Sequence, residues 1–327
     1  MMKRQKKIAA LLLACALVIG MSGCQKKQEG VTRLVLDWTP NTNHTGFFVA
    51  LEKGYYEEAG LTVEIMQPPE ETALTLLAAG NCEFAIGFQE SMGPSFASAN
   101  PLPVKAVAAL IQHNTSGILS LKSAGIESPA GLAGKRYATW GSDFVTEVIR
   151  GIVEADGGDF SAVKMVTNNA TDAISALQTD IDAIWVYFAW DAIAAQVAGL
   201  DFNYIPLQEY VPALDFYTPV LVSSDAFLKE HPEQAKAFLA ATAKGFEFAI
   251  QHPDEAAEIL LKHAPELSRE LVVQSQRWLA GQYKAEVERW GEIDPKRWAA
   301  FYDWQYEKGL LEKQVGAGGF TNEYLPE

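Results

Sequence analysis

Cysteine is nearly absent from this chain of 327 residues: it occurs only at Cys15, Cys24 and Cys82. Cys15 falls in an N-terminal leader and Cys24 at its cut site, which leaves Cys82 as the one further cysteine, and no internal disulfide is expected. Basic residues are also scarce, 26 Lys and Arg against 41 Asp and Glu, for a formal net charge of −15. An excess of that sign repels nucleic acid and anionic lipid headgroups. The five histidines (His44, His113, His231, His252, His263) show no metal-ligand spacing. The chain contains no G-x-S-x-G elbow, no phosphate-binding P-loop and no G-x-G-x-x-G after a strand. These absences favour a non-catalytic protein that uses no cofactor and no metal. Internal repeats, heptads and low-complexity tracts are missing as well.

The apolar run from Ile8 to Met21 is too short for a comfortable membrane span, which needs about 20 residues. Lys3, Arg4, Lys6 and Lys7 precede it and Ser22-Gly23-Cys24 follow it. A basic start, a short apolar stretch and small residues before a cut site mark a secretory signal. A Cys at the cut makes it a lipobox-like site. Residues 1–23 are therefore expected to be a lipoprotein signal peptide, with acylation at Cys24 and a tether over 24–30. The mature protein would sit outside the cell membrane on its lipid anchor.

Beyond the tether, strand and helix patterns alternate. Strands are predicted at 33–38, 61–66, 84–87, 104–111, 135–139, 163–167, 182–186 and 204–207. Helices are predicted at 45–59, 70–79, 90–99, 143–155, 171–177 and 190–198. From Asp225 the pattern turns helical, with proline at or near the start of helices at 232–250, 253–262 and 295–308, and a further helix at 268–283. The βα alternation implies largely parallel sheets covered by helices on both faces. About 300 residues are typical of two domains. Segments 116–121 and 217–223 are extended and are expected to cross between two α/β lobes. Lobe 1 is expected to comprise 31–118 and 221–327, and lobe 2 to comprise 119–220.

Five strand-end turns carry aromatic and polar residues together. They are Asp37-Trp38-Thr39-Pro40-Asn41 through His44, Phe88-Gln89-Glu90-Ser91, Thr139-Trp140-Gly141-Ser142-Asp143, Val186 through Tyr187 and Trp190 to Asp191, and Leu214-Asp215 through Pro219. Open α/β sheets bind small molecules at such positions. Flat aromatic faces suit a heteroaromatic ring, and carboxylates accept hydrogen bonds from amino or ring N–H groups. Lys and Arg are absent from all five turns, which argues against an anionic ligand. Trp38, Tyr187 and either Trp140 or Trp190 are the expected aromatic walls. Asp37, Glu90 and Asp191 are the expected polar readers, with Asn41, His44, Ser142 and Asp215 as secondary ligand-binding candidates. Competing roles exist: core packing for Trp140 and Trp190, and helix capping for Asn41 and Ser142.

At these residues the chain resembles the ThiY-type pyrimidine-binding lipoproteins. The resemblance is carried by Leu36-Asp37-Trp38 through His44 to Phe48, Lys53 to Glu57, Gly80 to Gly87, Asp182 to Asp191 and Asp215 to Val220. It implies a type II periplasmic-binding-protein fold, two doubly wound α/β lobes joined by two crossing strands. It also implies a substrate-binding component working with an ABC permease and its ATPase; the receptor is expected to be a monomer. The implied ligand is a thiamin precursor such as N-formyl-4-amino-5-aminomethyl-2-methylpyrimidine. Another heteroaromatic such as a flavin is the alternative ligand. The related fungal pyrimidine synthases are the alternative class, but their pyridoxal-phosphate lysine falls near Gln89, their substrate histidine near Gly93 and their cysteine-rich stretch on Asp215-Phe216-Tyr217.

Overall fold

The computed structural model describes residues 30–68, 73–167 and 172–327. The expected leader and Cys24 lie outside those residues, as do the first residues of the helices expected at 70–79 and 171–177. In chain order the first elements are β1 (Val31–Val35), α1 (Thr45–Glu52), α2 (Tyr55–Glu58), β2 (Thr62–Met66), α3 (Ala73–Ala78), β3 (Phe84–Gly87), α4 (Gln89–Ala97) and β4 (Val104–Ala109). There follow β5 (Ser116–Leu121), β6 (Arg136–Thr139), α5 (Asp143–Ala155), β7 (Lys164–Thr167), α6 (Ala173–Thr179), β8 (Ala183–Tyr187), α7 (Ile193–Val197) and β9 (Phe202–Pro206). The chain ends with β10 (Val220–Ser224) and helices α8 (Asp225–Glu230), α9 (Pro232–Gln251), α10 (Pro253–His263), α11 (Arg269–Leu279) and α12 (Pro295–Glu307).

Local chemistry explains these elements. In α5, Val145, Val148, Ile149, Ile152 and Val153 recur at helical spacing and are all buried. β3 is apolar and buried along its whole length, as a central strand covered on both faces must be. Proline opens α9, α10 and α12, where its missing N–H costs nothing. α1 and α9 touch because glycines face each other. A Cβ on Gly245 would lie 2.0 Å from the Gly46 carbonyl, and one on Gly46 would lie 2.2 Å from the Phe246 ring. That close approach fixes α1, and with it the Asp37–His44 turn, against the C-terminal helices.

The strands form two five-stranded sheets, ordered β2-β1-β3-β10-β4 and β7-β6-β8-β5-β9. Both follow one plan. β1 runs parallel to β2 and β3, and β6 parallel to β7 and β8. The fourth strand of each sheet is antiparallel to both neighbours: β10 between β3 and β4, β5 between β8 and β9. In each case it is the strand that has just arrived from the other half of the molecule. β5 lies wholly in the second sheet and β10 wholly in the first, so the expected crossing strands do not span the two sheets. The passages are the segments that precede them, and the divisions expected at 118/119 and 220/221 fall inside β5 and β10.

The C-terminal helices are not confined to the first half. Trp278 of α11 packs on Phe188 at 4.8 Å, and the Ser275 hydroxyl donates to the Ala189 carbonyl. Phe301 and Trp304 of α12 meet Phe144 of the second half edge-on, at 6.1 and 6.4 Å. One buried apolar cluster therefore includes Ala85 and Val222 from the first sheet, Ile118 and Tyr137 from the second, and Trp298 and Phe301 from α12.

Candidate functional site

A cavity of about 580 Å³ opens where strand ends of the two sheets meet. Asp37, Trp38, Thr39, Asn41, Thr42 and Asn43 line it from the turn after β1. Phe88 and Glu90 come from the end of β3, Thr218 and Pro219 from the approach to β10, and Tyr187, Ala189, Trp190 and Asp191 from the end of β8. Seven expected site residues thus meet: Asp37, Trp38, Asn41, Glu90, Tyr187, Trp190 and Asp191.

Each wall has a local cause. Asn41 caps the short 3-10 turn at Thr42–His44, its side chain accepting from the Asn43 N–H at 2.9 Å. The Asn41 N–H donates to His44 Nδ1 at 3.2 Å, and His44 Nε2 lies 2.7 Å from Asp37 Oδ1. Because Nδ1 accepts, the proton of a neutral ring sits on Nε2 and is donated to Asp37. His44 is fully buried and does not line the cavity. It was expected among the ligand-facing residues; its place is behind Asp37, whose carboxylate it aims. Trp38 is 64% exposed, an indole held at the mouth with little packed against it.

Gln89 anchors the next wall. It is buried, donates through Nε2 to the Trp298 carbonyl at 2.9 Å and accepts through Oε1 from the Tyr217 N–H at 2.8 Å. The Tyr302 hydroxyl adds a bond to the Gln89 carbonyl at 3.1 Å. Glu90, the following residue, faces the cavity. Burial pushes its carboxyl up to about 8, with partial relief from its own backbone N–H and the nearby Thr218 hydroxyl. Even so, Glu90 Oε2 and Thr218 Oγ1 are both buried with no hydrogen-bond partner. On the opposite wall the Tyr187 N–H donates to Asp191 Oδ2 at 3.2 Å. Burial raises the Asp191 carboxyl, and burial with the adjacent Glu90 charge holds the Tyr187 phenol well above its ordinary value. Asp191 sits in a π-helical turn, Phe188–Ala192, which replaces the regular helix expected from Trp190.

Three expected residues, besides His44, lie elsewhere. Ser142 caps α5, accepting from the Val145 N–H at 3.1 Å. Trp140 is 56% exposed and leans on Trp185 at 6.2 Å without reaching the cavity lining. Asp215 is taken up by a polar hub beside the passages between sheets. Its Oδ2 is 2.7 Å from His113 Nδ1 and 3.2 Å from Arg297 Nη1, and its Oδ1 accepts from the Asn114 N–H at 3.0 Å. Glu286 takes the other His113 nitrogen at 2.9 Å. Burial works against the Asp215 charge, but His113, the Asn114 N–H and Arg297 outweigh it and hold the carboxyl below its ordinary range. The bond to Asp215, opposed by burial and aided by Glu286, holds His113 above its ordinary value. Phe88, Thr218 and Pro219 were absent from the expected site. Both strand-end turns holding them are legible in the sequence; in the second, Asp215 carries the charge but its neighbours Thr218 and Pro219 line the cavity.

Electrostatically the cavity is one-sided. Among the described residues it is lined by three carboxyl groups and by no lysine or arginine. Arg297, outside the lining, is spent on Asp215, on Gln112 at 3.3 Å and on the Tyr217 ring, 4.2 Å below its guanidinium. No cluster of potential metal ligands occurs among the described residues.

Two α/β halves of one topology, with a cavity between their strand ends, define a type II periplasmic-binding fold. The alkanesulfonate-binding protein SsuA of Xanthomonas axonopodis pv. citri, solved bound to MOPS, has that fold. It superposes with a TM-score of 0.67 at 14% identity, over 90% of this chain and 99% of that one. The family model described as NMT1/THI5 like matches residues 41–256, and the chain belongs to that family. It is 28% identical to the formylaminopyrimidine-binding protein of Halalkalibacterium halodurans, over 95% of this chain and 96% of the relative. It is 25% identical to a 4-amino-5-hydroxymethyl-2-methylpyrimidine phosphate synthase of Saccharomyces cerevisiae, over 89% of this chain and 86% of the relative.

Proposed function

We propose that this protein is the extracytoplasmic solute-binding component of an ABC importer and holds an aminopyrimidine thiamin precursor between its two halves. The observation that carries the reading is the cavity itself. Trp38 and Tyr187 come from different sheets and line one space with Asp37, Glu90 and Asp191. Aromatic faces stack on a flat ring, and the carboxyl groups pair with its amino substituents. A sulfonate or nitrate would meet acids and no cation, so this cavity suits ligands unlike that of the sulfonate-binding relative. The similarity to a formylaminopyrimidine-binding protein over nearly the full chain supports N-formyl-4-amino-5-aminomethyl-2-methylpyrimidine as the ligand.

The ligand-facing set we assign is Asp37, Trp38, Asn41, Glu90, Tyr187, Trp190 and Asp191, joined by Thr218. The two halves act as lobes, divided at the passages before β5 and β10, and close by hinge motion there. The reading includes a lipid anchor at Cys24, a position outside the cell membrane and a monomeric receptor. No described helix is long and apolar enough to cross a membrane.

A synthase role is disfavoured by Gln89. That position would carry the cofactor lysine by resemblance, and here an amide is committed at both ends to backbone partners. A thermal-shift screen of aminopyrimidines, flavins and small anions tests the assignment, since a true ligand raises the melting temperature by mass action. An aminopyrimidine should stabilise at micromolar concentration. Stabilisation by a flavin or an anion instead would overturn it.

A further inference from the structure

We propose that Glu90 captures its ligand as a shared-proton pair with the amidine edge of an amino-substituted nitrogen ring. One carboxyl oxygen accepts from the exocyclic amino N–H, while the other oxygen and the adjacent ring nitrogen hold a single proton between them. This inference rests on the aminopyrimidine reading and adds the group that recognises the ring's edge and the proton that travels with it.

The geometry singles out Glu90 among the three acids. Asp37 is bonded to His44, and Asp191 to the Tyr187 N–H. Glu90 Oε2 alone among their carboxylate oxygens is buried without a hydrogen-bond partner, and Glu90 lines the cavity together with Thr218, whose hydroxyl lies nearby. A buried carboxyl oxygen left without a partner in a cleft calls for one from outside, because leaving it unmet costs free energy. The groups facing Glu90 do not supply a compensating positive charge. They are Asp37 after β1, Tyr187 and Asp191 after β8, Thr218 before β10, and Tyr302 of α12, whose hydroxyl is turned to the Gln89 carbonyl. A proton is therefore what neutralises the carboxyl, in keeping with its elevation to about 8.

A protonated carboxyl presents one donor and one acceptor, and an N=C–NH2 edge presents the matching acceptor and donor. A neutral ring meeting the carboxylic acid and a protonated ring meeting the carboxylate give the same complex, so atoms and charge balance either way. No bond other than hydrogen bonds forms. With Glu90 already protonated, a neutral ring binds without taking up a proton. Above the Glu90 value the proton must come from solvent, uptake approaches one per ligand, and affinity falls toward tenfold per pH unit.

The test is titration calorimetry of the full mature protein with 4-amino-2,5-dimethylpyrimidine, in buffers of differing ionisation enthalpy, at about pH 6.5 and about pH 9.5. Expected is a Kd weakened roughly 10- to 30-fold at the higher pH, with close to one proton absorbed there and, at the lower pH, none absorbed and a fraction released by whatever share of the ring is already protonated. E90Q, which keeps a donor and an acceptor but cannot titrate, should flatten both. Infrared difference spectra of the ligand-free protein at about pH 6.5 should show a protonated carboxylic-acid band that E90Q lacks. Binding with a flat pH response, or proton uptake retained in E90Q, overturns the shared-proton pair and leaves the aminopyrimidine reading standing. No binding at either pH, with the infrared band present, overturns both together.

Discussion

Trp38 and Trp140 are both indoles at strand ends, exposed to similar degrees, 64% and 56%. Only Trp38 lines the cavity. The pair therefore isolates what cavity position contributes to binding. In Trp38→Ala the free protein loses few contacts, and substitutions at exposed positions usually move stability by less than about 0.5 kcal/mol. A stacked ring covers on the order of 80 Å² of indole face, worth about 2 kcal/mol at about 25 cal/mol per Å². Alanine substitutions at ring-stacking sites give the same range, roughly 1–3 kcal/mol. The expected loss of affinity is thus about 5- to 150-fold, with an unchanged urea midpoint. Trp140→Ala should alter affinity by less than about twofold on the same grounds. Calorimetry with an aminopyrimidine, run beside urea unfolding of both variants, reads the two quantities separately. Equal losses from the two substitutions, or none from Trp38→Ala, would refute the placement of Trp38 as the outer wall.

Ser142→Ala removes the cap of α5 and should cost about 1 kcal/mol in urea unfolding while leaving ligand affinity untouched; a weakened Kd would return Ser142 to the site. His113 is held above its ordinary value by Asp215 and Glu286, so its stabilisation is full below its unfolded value of about 6.5 and fades as pH rises through the folded value. Asp215 is held low, so its contribution persists above about 3.8 and is lost only as pH falls through its folded value. Urea midpoints across pH should fall on the alkaline side of His113, and H113Q should flatten that fall; an unchanged slope would remove His113 from the hub's energetics. Cys24→Ser should release the protein from membranes into the soluble fraction, and intact-mass analysis of the wild type should show an acylated Cys24; an unmodified thiol would discard the anchor.

Much of this protein is legible from neighbours in sequence. α5 at Asp143–Ala155 and β3 at Phe84–Gly87 coincide with their predicted spans, because a cap beside an amphipathic run and a short apolar strand are local signals. The turn after β1 is local too, since Asn41, His44 and Asp37 complete it at a sequence separation of seven. That strand-end turns gather at one edge of each sheet is legible from βα alternation. What the sequence did not reveal depends on partners far along the chain. Asp215 looks like a free acid until Arg297 folds onto it from 82 residues away, and nothing local tells that Trp298 and Tyr217 claim both ends of the Gln89 amide. The antiparallel setting of β5 and β10, and the bridging of both halves by α11 and α12, were likewise decided only in three dimensions. Periodicity and capping are encoded over a few residues; which acid is neutralised and which is left facing the cavity is set by packing between segments that sequence order keeps apart.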